Sequence, residues 1–525
     1  MAHAPEARPA TIEACHALIA ERDKQLSERD ALIANLQQQI KRMLRAQFGR
    51  RSEKITDPNQ LKLFAEILGA MWDSPPAESE AEEGEEEAPR QPRRRGRQPF
   101  PAELPRVRVE HDLPEAEKTC SECGTPKTKI GEEVSEQLEY VPARFEVKQH
   151  VRLKYACPQE CDGQVQTAAK PVQPIEKGVP GPGLLAQVVV SKYCYHLPLY
   201  RQEAIFAASG VEICRETMWG WIKVLAVEVM PLYELIKSEV LSSHKLHTDD
   251  TPVRLRDAKQ RIKGESRIWT YVGDRAHPYV VFDYTANRRR DGPVAFLKGW
   301  KGYLQADAFS GYDCIFASRD AIEVACMAHA RRKFDEALPT DREVASEAMA
   351  LIGKLYDLER GWKELSDDER KAGRQEHALP LLNRFKSWLD AARGRVLPKS
   401  PAGKAIGYAL KNWQALCRYT EHGELEIDNN AAERALRAVA IGRKNWLFFG
   451  SHTGGQAAAV FFSLIASAKR HGLDPFEYLR DVFERLPAHP ADRIAEFLPD
   501  KCKELREKKA AEAAKSPSEP VAASN

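Results

Sequence analysis

Two aspartates in this chain close apolar, β-rich runs in the same way, as Leu246-His247-Thr248-Asp249 and Leu304-Gln305-Ala306-Asp307. Side chains alternate along a strand, so an aspartate three residues after a leucine projects from the opposite face. Both carboxylates are therefore expected in equivalent positions at strand ends, whereas Asp250 falls on the other parity unless bending at the strand end redirects it. Around them the runs 245–248, 253–255, 268–272, 279–284 and 302–306 read as strands, with a helical patch over 292–299 between the last two. If the first two runs are one bent strand, the order is three strands, a helix and a fourth strand.

That order matches the opening of an RNase H-like α/β nuclease core, expected over 241–470. A third acid lies in Asp428-Asn429-Asn430-Ala431-Ala432-Glu433, where 428–430 are helix N-cap residues and Glu433 sits in the first turn. Asn430-x-x-Glu433 is also a capping-box-like pattern, so taken alone Glu433 serves equally well as a cap. Beside two strand-end aspartates and the basic Arg434, Arg437, Arg443 and Lys444, the catalytic reading is the stronger. Three carboxylates can hold two Mg²⁺ (or Mn²⁺) ions about 3.5–4 Å apart, one at the attacking oxygen and one at the leaving oxygen. The neighbouring cations would hold phosphates that an acidic cluster alone repels. The long interval between Asp307 and Glu433 leaves room for a helical insertion over about 329–420, and a buried helix is expected over 457–468. Cys326 and His329 form a lone Cys-x-x-His, a weak metal pair and more simply a core cysteine with a polar neighbour.

Ahead of this core the chain changes texture several times. Ile12, Ile19, Leu26, Ile33 and Ile40 recur every seven residues, joined late by Leu36 and Met43 at the second seam position, which Cys15, Arg22 and Arg29 occupy earlier. This predicts a coiled coil with a basic end over 10–70 that pairs copies of the chain; the simpler alternative is one amphipathic helix packed on its own domain. Residues 75–105 run from a glutamate-rich stretch into Arg93-Arg94-Arg95-Gly96-Arg97 among prolines, a linker expected to be disordered whose arginines resemble a minor-groove hook. Over 106–170, Cys120-x-x-Cys123 and Cys157-x-x-x-Cys161 are two thiolate pairs suited to one tetrahedral structural Zn²⁺ in a small ribbon-like domain, with hairpin alternation over 137–141 and 145–153. Over 178–240, a helix at 199–208, Gly210 and a helix at 215–224 outline a helix-turn-helix-like region whose second helix carries Arg215, Thr217, Trp219 and Lys223. Many helical hairpins share that outline, so a scaffold role stands beside DNA reading. Helices are expected over 471–500 and a disordered Lys/Glu/Ala-rich tail over 501–525.

Composition narrows the class. The 525 residues suggest roughly three or four domains. The net charge of only +2 shows that basic character is confined to segments. No apolar run approaches the roughly 20 residues of a membrane helix, and the start lacks a signal-peptide layout, so neither secretion nor membrane spanning is expected. Eleven scattered cysteines, four of them in two tight pairs, point to a reducing compartment and a metal site.

The strings HTDDTPV, LQADAFSGY, CMAHARRKF and DNNAAERALRAVAIGRKNWLFFGS resemble the transposases of the insertion-sequence family numbered sixty-six, in order over residues 10 to 485. The resemblance implies a multidomain α+β protein with a leucine-zipper start, a four-cysteine zinc domain, a helix-turn-helix-like region and a DDE nuclease. Its triad would be Asp249, Asp307 and Glu433, with Asp250 at the family's non-catalytic glutamate and Met327 at its usual tryptophan. It implies a bacterial, cytoplasmic DNA transposase acting on terminal inverted repeats by metal-dependent cleavage and strand transfer. The expected partners are element and target DNA, a second copy of the chain, and the small accessory proteins of the same element. Two other classes remain open: a domesticated DNA-binding regulator without catalysis, against which the intact acidic triad argues, and a different nuclease such as a junction resolvase or RNA–DNA hydrolase.

Overall fold

The computed structural model describes residues 145–150, 154–155, 166–167, 172–175, 180–257, 262–317 and 320–515. The expected coiled coil, the linker and the four paired cysteines lie outside the described residues. Of the expected hairpin, residues 145–150 carry no regular structure, and the short antiparallel pairing that is described joins Lys154–Tyr155 to Gln166–Thr167.

Among the described residues, four helices precede the main sheet: α1 (Pro182–Tyr193), α2 (Leu199–Ala208), α3 (Arg215–Glu228) and α4 (Met230–Leu241). Gly210, at φ +79°, makes the turn between α2 and α3 in the left-handed region that glycine adopts without strain. The sheet itself is built from β1 (Lys245–Asp257), β2 (Ile262–Val272), β3 (Val280–Thr285), β4 (Gly302–Ala306) and β5 (Ala321–Ala325), with α5 (Asp291–Phe296) and α6 (Asp313–Ala317) in the connections. Strand order is β3-β2-β1-β4-β5. The pairs β1–β2 and β2–β3 are antiparallel, while β1–β4 and β4–β5 are parallel. The two leading runs of the sequence are indeed one strand, and β5 is a fifth strand that the sequence pattern does not show. A two-residue β6 (Phe448–Phe449) pairs with the far end of β1.

After β5 the chain is helical: α7 (Met327–Ala337), α8 (Arg342–Gly361), α9 (Asp367–Gly373), a π-helical turn (Arg374–Ala378), α10 (Leu379–Arg393), α11 (Pro401–Lys411) and α12 (Trp413–Cys417). These helices pack round their own core of Phe334, Leu351, Ile352, Leu382, Phe385 and Ile406, which also takes Val324 of β5. Arg374, almost wholly buried, ties the π-turn down by a two-pronged contact with Glu359 at 2.7 and 2.8 Å and by bonds to the carbonyls of Tyr419, His422 and Leu425. The loop that leads to Glu433 is thereby fastened to the helical layer.

The chain returns through α13 (Asn430–Trp446), α14 (His452–Arg470), α15 (Pro475–Arg485) and α16 (Pro499–Lys515). Helix α14 lies against the edge strand β3, and the two serines that interrupt its apolar run do specific work there. Ser463 Oγ accepts from Phe282 N at 2.7 Å, and Ser467 Oγ accepts from Val280 N at 3.1 Å while donating to the Val280 carbonyl. An edge strand exposes unpaired backbone groups, and here buried hydroxyls satisfy them. Close approach is possible because Gly455 has no Cβ; one there would stand 2.1 Å from the Tyr284 ring. Helix α16 differs from the expected disordered tail over 501–515: its Lys/Glu/Ala composition favours helix, Cys502 is buried, and Asp500 accepts from the Tyr279 hydroxyl. No helix among the described residues is long and apolar enough to cross a membrane.

Candidate active site

Leu246 pairs with Leu304 and His247 with Gln305 across the parallel β1–β4 ladder, so Asp249 and Asp307 lie two residues beyond the same register point. The expectation of two strand ends needs correction. Asp307 directly follows β4, but Asp249 is the fifth residue of a thirteen-residue strand that continues to pair with β2. What ends at His247 is the ladder to β4, and that opens the space in front of Asp249.

Asp249 is mostly buried and accepts the Asp250 N–H at 2.8 Å. Burial, followed by the charge of Asp307 and with Asp250 and Glu433 adding to it, pushes its carboxyl up from 3.8 to about 7. Asp307 accepts the Phe309 N–H at 3.1 Å round a turn in which Ala308 takes a left-handed φ of 61°. Such a conformation costs a non-glycine residue energy and is held only by its surroundings. Tyr408 of α11 donates to the Asp307 carbonyl at 3.3 Å, so the helical layer helps to hold this turn.

Glu433 lies in the first turn of α13, as expected, but it does not cap the helix. Asp428 accepts the Asn430 N–H at 3.0 Å, and no side chain caps from Asn429. Glu433 instead faces α7, with His329 Nε2 at 3.7 Å and Arg332 at 3.5 Å, and its buried Oε1 has no hydrogen-bond partner. Burial, then the Arg332 charge, lowers the His329 pKa, which favours a neutral ring beside the acid. Cys326 is a buried core thiol pushed up to about 12 by burial, and its sulfur accepts the Asn429 N–H at 3.2 Å.

Asp250, unlike these acids, is paired with two arginines. Its side chain is 2% exposed and is clamped by Arg267 at 3.0 Å and Arg288 at 2.9 Å. Arg288 also lies 3.7 Å from Asp307. Arg434, Arg437 and Lys444 are exposed along α13, whereas Arg443 is half-buried and donates to Thr251 Oγ1 at 2.7 Å and to the Pro252 carbonyl. Arg215 is exposed at the start of α3, and Lys223 is exposed over the Trp219 ring at 5.9 Å. Arg288 and Arg332 are not among the residues that the sequence singles out. Arg332 sits in the CMAHARRKF string at helical spacing from His329, which is a usable signal; for Arg288, in an arginine-rich loop, only the fold reveals the partner.

The family model described as "Transposase IS66 family" matches residues 177–457, the whole segment that carries these acids. The chain belongs to this family. Models described as "zinc-finger binding domain of transposase IS66", "Transposase C of IS166 homeodomain" and "IS66 C-terminal element" match residues 117–161, 35–109 and 463–499. Among similar proteins of Sinorhizobium fredii, "Uncharacterized protein y4hP" is 33% identical over 486 residues, covering 88% of this chain and 87% of its own length. "Uncharacterized protein y4qI" is 33% identical over 516 residues, covering 94% and 93%. An IS66 transposase role follows, as does a zinc-finger domain spanning Cys120, Cys123, Cys157 and Cys161.

Among the described residues no three His, Cys, Asp and Glu side chains converge closely enough to hold a metal ion as they stand. The donor chemistry nevertheless fits hard divalent cations. Glu433 has a buried oxygen without a hydrogen-bond partner, and Asp249 is held back from ionising by burial and then by the charges of Asp307, Asp250 and Glu433.

Proposed function

We propose that this IS66-family chain is a DDE transposase that binds the terminal inverted repeats of its element and catalyses metal-dependent cleavage and strand transfer. Asp249, Asp307 and Glu433 are its catalytic residues. The observation that carries this reading is the shared register of Asp249 and Asp307 together with the rise of the Asp249 carboxyl to about 7, caused by burial and then by Asp307. Acids that crowd one another in this way gain from a cation between them. The strand order β3-β2-β1-β4-β5, antiparallel then parallel, supports an RNase H-like core, with the helices from α7 to α12 as its insertion over about 329–420.

Two Mg²⁺ or Mn²⁺ ions held by these carboxylates would activate the attacking oxygen and stabilise the leaving one. The protein's own part is to hold the acids in place and to bind DNA. Arg434, Arg437 and Lys444 offer charge to phosphates, and Arg443 braces α13 against β1 through Thr251 and Pro252. Arg215 and Lys223 on α3 are the DNA-reading candidates of the helix-turn-helix-like region. Water attacks the phosphodiester at the element end, releasing a 3′-hydroxyl, and that hydroxyl displaces a second 3′-oxygen in target DNA. No bond to the protein forms. Cys120, Cys123, Cys157 and Cys161 hold a structural Zn²⁺, and the heptads over 10–70 pair copies of the chain.

The test is incubation of the full chain with Mg²⁺, a duplex bearing the element end and a plasmid target. Joined end–plasmid products are expected. Plain hydrolysis without joining would support a different nuclease, and tight end binding without cutting would support a regulator.

A further inference from the structure

Beside Asp307 lies an open cleft of about 540 Å³ lined by Arg289, Arg290, Asp291, Phe309, Ser310 and Gly311, a volume within the range of small-ligand sites. Arg289 and Arg290 are exposed, and among the described residues neither guanidinium has an ion-pair or hydrogen-bond partner. The half-buried Phe309 ring lies under Arg288, whose guanidinium carbon is 4.2 Å from the ring centre. Trp269 and Tyr312 support the ring, at 6.1 and 5.8 Å between centres. Gly311 makes this position possible, since a Cβ there would stand 2.1 Å from the ring. The Phe309 N–H, in turn, is bonded to the Asp307 carboxylate.

We infer that this cleft is a nucleotide subsite, which takes one unpaired nucleotide next to the bond being cut, its base against Phe309 and its flanking phosphates on Arg289 and Arg290. The inference rests on the proposed DNA-cleaving function. Every base has a face that stacks on an aromatic ring, whereas inside a duplex both faces are covered by the neighbouring base pairs, so Phe309 selects for a strand that is locally opened. Two free guanidiniums bind phosphate oxygens without any need for sequence. Because Asp307 and Phe309 share one turn, a nucleotide seated on the ring fixes the neighbouring phosphodiester beside the acid. A solvated arginine-rich loop would explain the charges, but not the supported ring or the glycine that admits it.

The full-length chain is tested in chelator, so that nothing is cut, with a hairpin duplex carrying one unpaired nucleotide near its end and with its fully paired counterpart. The wild type is expected to prefer the opened duplex by about tenfold, the scale of one base–aromatic stack. Phe309→Leu, which keeps an apolar core contact, should bring that ratio close to one, and Phe309→Tyr should retain it. Arg289→Ala with Arg290→Ala changes only exposed side chains and should lower the salt slope of binding by about 1.8. A wild-type ratio of one overturns the subsite, as does an unchanged ratio in Phe309→Leu together with an unchanged slope in the arginine pair. In either case Mg²⁺-dependent cutting by the wild type leaves the proposed function standing. A wild-type chain that neither binds nor cuts either duplex removes the proposed function and the subsite together.

Discussion

Asn429 donates its side-chain amide to the Thr248 carbonyl at 2.8 Å, one residue before Asp249. The same side chain meets His247 Nδ1 through its oxygen at 3.1 Å, and its backbone N–H reaches the Cys326 sulfur. One fully buried residue thus fastens the start of the Glu433 helix to the Asp249 strand and to the end of β5. Asn429→Ala is expected to lower stability by about 2–4 kcal/mol, since buried polar groups lose their partners. Chemical denaturation measures that cost; a change under about 0.5 kcal/mol would mean that the junction is held otherwise.

Ser463 and Ser467 make a second test of how the sheet is closed. Ser463→Ala leaves the Phe282 N–H buried without its acceptor, and Ser467→Ala does the same at Val280. Each is expected to cost about 1–3 kcal/mol, and the double variant to aggregate on heating as the β3 edge becomes available for pairing. Thermal melts with light scattering give both readings.

Much of this site is legible in the sequence because strand parity is a strict constraint. Parity puts Asp249 and Asp250 on opposite faces of β1, and Asp250 is clamped by Arg267 and Arg288; that Arg288 also stands 3.7 Å from Asp307 is a link parity does not foretell. The fifth strand, Ala321–Ala325, is not legible, because its Ala-Ile-Glu-Val-Ala has too few apolar residues to mark a strand on its own; pairing with β4 makes it one. Glu433 cannot be assigned from local pattern, since Asn430-x-x-Glu433 is also a capping pattern; only the side chain's position against His329 and Arg332 separates the two. Arg443 looks like its basic neighbours on α13, and its bonds to Thr251 and Pro252 depend on a contact with β1 that lies far away in sequence.

The raised Asp249 carboxyl has a pH consequence in the metal-free protein. Its folded value of about 7, set by burial and then by Asp307, stands above its ordinary 3.8. Between those values the folded chain holds a proton that the unfolded chain has released, so this group's contribution to stability falls as pH rises through the window and levels off above it. In chelator, the melting temperature of the wild type minus that of Asp249→Asn should therefore decline from about pH 4 to about pH 7. A flat difference would place the Asp249 carboxyl in an ordinary environment.

Zinc is tested separately. One Zn²⁺ per chain is expected by metal analysis, and Cys120→Ser or Cys157→Ser should release it. Because the segment from α1 to α16 has hydrophobic cores of its own, its main thermal transition should persist in those variants. Purified wild type without zinc, with the four cysteines free to react with a thiol reagent, would contradict the zinc site.

The most direct measurement of the joint action of Asp249, Asp307 and Glu433 is Mg²⁺-dependent cleavage of an element-end duplex by Glu433→Gln. Glutamine keeps the shape of the side chain but removes the charge, and it would still serve at a capping position. Cleavage is expected to fall to the metal-free background while end binding stays near wild type, and adding Asp249→Asn or Asp307→Asn should cause no further loss, as for ligands that act as a unit. Asp250→Asn, freed from its arginine clamp, should be less stable yet still cleave. A Glu433→Gln protein that cuts at close to the wild-type rate, or an inactive but folded Asp250→Asn beside an active Asp249→Asn, would contradict the triad.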